Sequence, residues 1–200
     1  MPVVGGTGDF RLARGIAIVR NVSINATTGD SLFEYNSNAV TKWFKNLSVA
    51  KEKVTQLQLY VQDILTSPTP TTITVATANS TSASPTSFGL IAVLDDPVRT
   101  APSPNSEIVG RARGFFAFSS LEEISIHMTF NLVFTSDKYK GSALSLVGDN
   151  PYLTESRELP VVGGSGSFRL ARGVALVRTV SRNDTTGDAF FQYNITVLHY

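Results

Sequence analysis

The stretch VTQLQLYVQDIL, residues 54–65, alternates side-chain character with a period of two. Leu57, Leu59, Val61, Asp63 and Leu65 share one face; Gln56, Gln58, Tyr60 and Gln62 share the other. Neighbouring side chains of a strand point to opposite sides, so this pattern predicts a strand with one buried and one wet face. The same period returns in IVGRARGFFAF (108–118) and ISIHMTFNLVF (124–134), and shorter strands are expected near 71–78, 88–96 and 140–148. Two more follow the glycine-rich turn at 163–166. About eight strands with almost no helical periodicity predict an all-β fold, and an eight-stranded antiparallel β-barrel removes the edges that an open sheet exposes. DDPVRTAPSPNSE, 95–107, carries three prolines and reads as a long loop.

The alternation also assigns faces. In 124–134, Ile124, Ile126, Met128, Phe130, Leu132 and Phe134 point inward. In 108–118, Ile108, Gly110, Ala112, Gly114, Phe116 and Phe118 point inward, with Arg111 and Arg113 outward. Gly110, Ala112 and Gly114 leave volume on an inward face. Either that volume is a central cavity for a ligand, or a large neighbouring side chain fills it.

A long internal repeat overlays this pattern. Residues 2–36 match residues 160–194 at about 25 of 35 positions. Each copy reads as a glycine-rich turn and then two strands joined through TTGD, where glycine supplies the hairpin's positive φ. The barrel already contains its own last two strands. The first copy is therefore an extra N-terminal β-hairpin that must dock, exchange between chains or fray, since a lone hairpin is marginal in water. Between the first copy and the barrel, Val40, Trp43, Phe44 and Leu47 recur at helical spacing, predicting a linker with a short helix and an aromatic packing anchor. The expected organisation is a hairpin copy over 1–36, a linker over 37–53 and a barrel over 54–200.

A net charge of +1 offers no field to attract nucleic acid or an anionic membrane, and no apolar run reaches the length of a membrane span. The absence of cysteine excludes disulfide and thiolate chemistry. Sequons at Asn21, Asn25, Asn46, Asn79, Asn183 and Asn194 point to a secreted glycoprotein. The chain opens with MPVVGG, which lacks the basic and apolar segments of a signal peptide. A rearrangement that puts the copied segment where a leader belongs is the expected explanation.

Little conventional catalytic equipment is present. The two histidines, His127 and His199, sit at strand positions that read as surface or interface, without ligand spacing. GGTG and GGSG precede strands rather than a helix, which fails the context for phosphate binding. No metal site, nucleophile triad or cofactor motif is visible. What remains is Asp63, an acid on an apolar face. One reading is a structural carboxylate paired with an inward-facing arginine, for which Arg172 is one candidate. The other is a carboxyl kept partly neutral by burial, able to hand a proton to a developing oxyanion or quinone oxygen.

The motifs KEKVTQLQLYVQDIL, FGLIAVLDDP, VGRARGFFAFSS, NLVFTSDKYKGSALSLVG, RELPVVGGSGSFRLARG and YNITVLHY occur in an order that resembles the plant dirigent proteins, from about Lys51 to Tyr200. The resemblance implies an eight-stranded barrel, a homodimer or homotrimer, and secretion to the apoplast. It implies binding of phenoxy radicals, such as those from coniferyl alcohol, made by a separate laccase or peroxidase and coupled stereoselectively to a lignan. Some such proteins instead act on quinone methides, dehydrating an isoflavanol or closing a ring. The expectation is therefore a stereochemical auxiliary without a cofactor; the alternatives are a cofactor-free isomerase, cyclase or dehydratase, or a rearranged copy without activity. Family active-site positions fall on Asp63 and Arg157. A tyrosine of the family is replaced by Phe116, and an aspartate by Asn150. With Phe118, Leu59 and Val61 these two form the expected substrate-binding wall.

Overall fold

A computed structural model describes residues 1–11, 13, 15–36 and 45–200. The strands are β1 (Pro2–Val3), β2 (Gly15–Ile16), β3 (Ile18–Ile24), β4 (Ser31–Asn36), β5 (Lys53–Asp63), β6 (Thr72–Ala76), β7 (Ile91–Arg99), β8 (Ile108–Phe118), β9 (Ile126–Phe134), β10 (Ala143–Asn150), β11 (Arg157–Ser165), β12 (Arg172–Arg182) and β13 (Ala189–His199). Eight of them, in the order β5-β13-β12-β11-β10-β9-β8-β7, form an antiparallel barrel that closes where Tyr60 and Val61 of β5 pair with Arg99 and Val98 of β7. The alternation read from the sequence is why this ring closes: each strand turns one apolar row inward. Leu132, Leu144, Leu146, Leu159, Ile195 and Val197 are almost entirely enclosed.

Two boundaries differ from the sequence reading. The segment 95–107 is not loop throughout, because β7 runs on through Asp95, Asp96 and Pro97 to Arg99, paired with β8. Proline is tolerated there for a local reason. On its other side β7 pairs with β6 from Ile91 to Leu94 and with β5 only at Val98 and Arg99. At Pro97 that side has no ladder partner, so the missing N–H leaves no gap. The Thr-rich strand β6 is the second difference, since it pairs with β7 outside the ring and makes the sheet nine-stranded.

The two ends of the barrel are unlike. At the end where Lys53 pairs with His199, Phe168 is fully enclosed among Phe134, Tyr139 and His199, with ring centroids 5.4, 4.7 and 5.2 Å from its own. Burying an aromatic side chain contributes about 1.5–3 kcal/mol, and this cluster seals that end. His199 is buried, donating to or accepting from Thr55 Oγ1 at 2.9 Å, while His127 is exposed, so only the latter is a surface residue. The opposite end is hollow.

Arg172 also lies elsewhere than expected. Gly173, Ala175 and Val177 turn inward on β12, and Arg172 points out, 2.6 Å from Glu52 at the sealed end. It does not meet Asp63. Arg111 and Arg113 do point outward, donating to Asp95 Oδ1 at 2.7 and 3.1 Å.

The amino-terminal hairpin reproduces β12–β13 in detail. Val19 pairs with Tyr35 and Asn21 with Phe33, as Val177 pairs with Tyr193 and Thr179 with Phe191. Both pairs carry a bulge at the same point, between Asn21 and Ser23 and between Thr179 and Ser181. Gly29 and Gly187 take φ of 78° and 77° in matching turns, in which Asn25 and Asn183 accept from the two following threonine N–H groups. The surroundings differ completely: Tyr193 is 3% exposed and Tyr35 67%. The first residues reach the barrel, where a side chain at Gly163 would meet Pro2 at 2.8 Å, and Met1, Ile16, Ala17, Ile18 and Val19 share a shallow surface pocket with Ser165, Gly166 and Arg169. Val40, Trp43 and Phe44 lie outside the described residues; Leu47–Val49 forms a single 3-10 turn.

Candidate functional site

The hollow end encloses a cavity of about 740 Å³. Its wall is mostly apolar: Ala112, Phe116 and Phe118 from β8, Ile126, Met128 and Phe130 from β9, and Val61 from β5. Of the small residues on β8, Ala112 borders this space. Gly110 and Gly114 answer a different need, since a Cβ at Gly114 would run into the Thr129 carbonyl and lie 2.5 Å from Phe130 Cα. Those glycines let β9 approach. Phe116 and Phe118 stack edge-to-face at 6.1 Å, and Phe118 meets Tyr152 in the same way at 6.1 Å. They line the space without filling it.

Two clusters of polar groups are set into this wall. The first is a pair of acids. Asp63 ends β5 on its inward face, and Asp96 lies on the inward face of β7, where β5 and β6 part. Asp96 is 4% exposed, and its Oδ1 accepts from Thr71 Oγ1 at 2.6 Å and Thr72 Oγ1 at 3.3 Å. Asp63 Oδ1 is buried without a hydrogen-bond partner. Burial raises the Asp63 carboxyl to about 6, opposed by the Thr72 hydroxyl and assisted by the Asp188 charge. Burial and then the Asp63 charge raise Asp96 to about 8. Near neutral pH the pair keeps a proton.

The second cluster surrounds Arg157, which opens β11 and is buried. Its Nε donates to Asn150 Oδ1 at 3.1 Å, and its Nη1 to the Thr154 carbonyl at 3.2 Å and Thr179 Oγ1 at 3.1 Å. Asn150 in turn directs its amide nitrogen to Met128 Sδ at 3.0 Å. The guanidinium lies 5.7 Å from the centre of the Phe191 ring, and its Nη2 is buried without a partner. Burial pulls the arginine below its ordinary value. Tyr193 is fully enclosed between the clusters, and burial pushes its hydroxyl up, so it stays a neutral phenol.

Six of the seven residues singled out from the sequence thus border one space: Asp63, Arg157, Phe116, Phe118, Asn150 and Val61. Leu59 does not; it is packed into the core two residues earlier on β5. The most consequential residue missed is Asp96, which falls where the expected strand over 88–96 and the proline-rich loop over 95–107 overlap. Continuing the alternation Ala92, Leu94, Asp96, Val98 past the first aspartate would have put it inward. Tyr193 and Thr179 escaped for a different reason: nothing local separates them from their exposed counterparts Tyr35 and Asn21. Of the sequons, Asn21, Asn25, Asn46, Asn79 and Asn183 are exposed. Asn194 is half-buried, its Oδ1 accepting from Gln58 and Gln192.

Comparison with known proteins agrees with this architecture. The family model described as "Dirigent-like protein" matches residues 1–40 and 54–198. Dirigent protein 21 of Arabidopsis thaliana is 43% identical over 148 residues, covering 74% of this chain and 78% of that protein. Pterocarpan synthase 1 of Glycyrrhiza echinata is 37% identical over 155 residues, covering 77% and 82%. A solved pterocarpan synthase dirigent protein superposes with a TM-score of 0.70 at 36% identity, over 76% of this chain and 87% of its own. A closed eight-stranded barrel, an aromatic cavity at one end and family matches at both copies of the repeat agree: the chain belongs to the dirigent family.

Proposed function

We propose that the hollow end binds a phenolic benzylic alcohol, assists its dehydration to a quinone methide and directs which face of that intermediate reacts. The observation that carries this reading is the buried Asp63–Asp96 pair in an apolar wall, facing a cavity that also presents an arginine with a buried, unpartnered N–H. Loss of water from such an alcohol needs a proton on the departing oxygen. It also needs electron density pushed from the phenol oxygen through the ring.

The pair's one proton, which rests on Asp96, is relayed through Asp63 to the departing oxygen as the benzylic C–O bond breaks. The phenol oxygen gives up its own proton to solvent, becomes the quinone carbonyl oxygen and accepts from Arg157 Nη2. A second phenol of the same molecule then adds to the methide carbon. Its proton returns to the acid pair, the quinone oxygen regains a proton from solvent as aromaticity is restored, and the new ring closes with net loss of one water. Phe116, Phe118 and Phe191 present flat apolar faces that hold the planar intermediate in one orientation. The likeness to pterocarpan synthases supports this chemistry class.

The second reading is stereoselective coupling of phenoxy radicals supplied by a separate oxidase, with secretion to the apoplast and oligomeric assembly. The exposed sequons and the roomy aromatic cavity favour it, but it makes no use of the acids. A hydroxylated isoflavanol incubated with the protein alone separates the two. Cyclised product in enantiomeric excess, falling about 10²–10³-fold in rate in Asp63→Asn, supports the dehydrative reading. Selectivity only when laccase and coniferyl alcohol are supplied would replace it with the radical one.

A further inference from the structure

Every hydrogen-bond acceptor that Arg157 meets is neutral. Asn150 is an amide, Thr154 offers a backbone carbonyl and Thr179 a hydroxyl. Among the described residues no carboxylate pairs with this guanidinium, and its Nη2 is buried with nothing to donate to. An uncompensated cation in an apolar wall favours whatever brings a negative charge to it. The other charged or titratable groups on the cavity do not serve. Asp63 on β5 and Asp96 on β7 belong to the other polar cluster and make no ion pair or hydrogen bond with Arg157, and Tyr193 on β13 remains neutral. Glu155 is exposed in the loop before β11, and Arg182 on β12 is itself a cation, 5.8 Å from the centre of the Tyr152 ring.

We propose that Asn150 sets the charge of the ligand: by holding Arg157 in place through a neutral amide, it leaves the guanidinium to be neutralised by the ligand, which the cavity therefore takes as a phenolate rather than a phenol. Asn150 is a positioning residue here, acting through Arg157. An aspartate at the same place would make the same bond to Nε and cancel the charge internally, and the cavity would then prefer neutral phenols. The identity of one side chain thus selects between ionisation states of the same molecule. This inference rests on the hollow end being the ligand site, as proposed above.

The test uses 4-nitrophenol, whose visible absorbance appears only on ionisation, and 4-nitroanisole, a neutral analogue that cannot ionise. Titrations of the full chain are read at a pH below the free pKa of 4-nitrophenol. Binding is expected to produce the phenolate band, because an opposite charge within a few ångströms shifts ionisation by about tenfold or more. Asn150→Asp is expected to lose that band and to weaken 4-nitrophenol binding about tenfold, while 4-nitroanisole binds as before and reports an intact cavity. Arg157→Gln gives a second reading with the same expected outcome. If both probes bind and no phenolate band appears, or if Asn150→Asp retains it, the charge inference is wrong while the cavity assignment stands. If neither probe binds the unmodified protein, both fall.

Discussion

Asp63 and Asp96 are the residues on which the chemistry turns, and their shifts have a consequence for stability. Both carboxyls are raised in the folded barrel, to about 6 and about 8, from an ordinary value of 3.8. The folded state therefore binds more protons than the unfolded chain once pH exceeds the ordinary carboxyl value. Stability from this pair is fully present below that value and is lost as pH rises through about 6 and then about 8. Denaturant unfolding is expected to show the barrel losing on the order of a few kcal/mol between pH 5 and pH 8 through these groups. Asp63→Asn and Asp96→Asn should each flatten that slope; an unchanged slope in both would contradict the assignment. Asp63 was legible from the sequence because its strand alternates without a fault. Asp96 was not, since the proline beside it signals a loop wherever the neighbouring strands are unknown. Only the parting of β5 and β6 makes that proline harmless. Arg172 misled for a similar reason: its parity on β12 is clear, but which parity faces inward depends on β11 and β13.

At the level of elements, the barrel is divided into a sealed end and a working end, and substitutions at each should behave differently. Phe168→Ala removes the centre of the aromatic plug, and the expected cost is about 3–5 kcal/mol, read as a lowered denaturation midpoint. Gly114→Val forces β8 away from β9 at the Thr129 carbonyl and should cost about 1–3 kcal/mol or more, with the cavity wall disturbed as well. The amino-terminal hairpin contrasts with both. Among the described residues its contacts with the barrel are small, at Gly163 and beside Ser165, Gly166 and Arg169, so a chain lacking residues 1–36 is expected to stay within about 2 kcal/mol of the full chain. Loss of cooperative unfolding on that deletion would show the hairpin to be part of the fold. Its strand pairing and turns were readable from the repeat. Its exposure was not, because the same residues are core or surface according to what stands opposite them.

For the molecule as a whole, the order of strands and the closing of the ring follow from alternation and short antiparallel connections, and that much a sequence can carry. The hollow is less legible. It depends on which inward residues meet across the barrel, and Gly110 and Gly114, read as possible makers of volume, turn out to bring strands together. The proposed chemistry requires a proton held in that hollow at neutral pH. Infrared difference spectroscopy of the full chain at pH 7 measures it directly, comparing the unmodified protein with Asp96→Asn and Asp63→Asn. The carbonyl stretch of a neutral carboxylic acid is expected in the unmodified protein and should disappear in Asp96→Asn. A spectrum showing only ionised carboxylates at pH 7 would contradict the account at its centre.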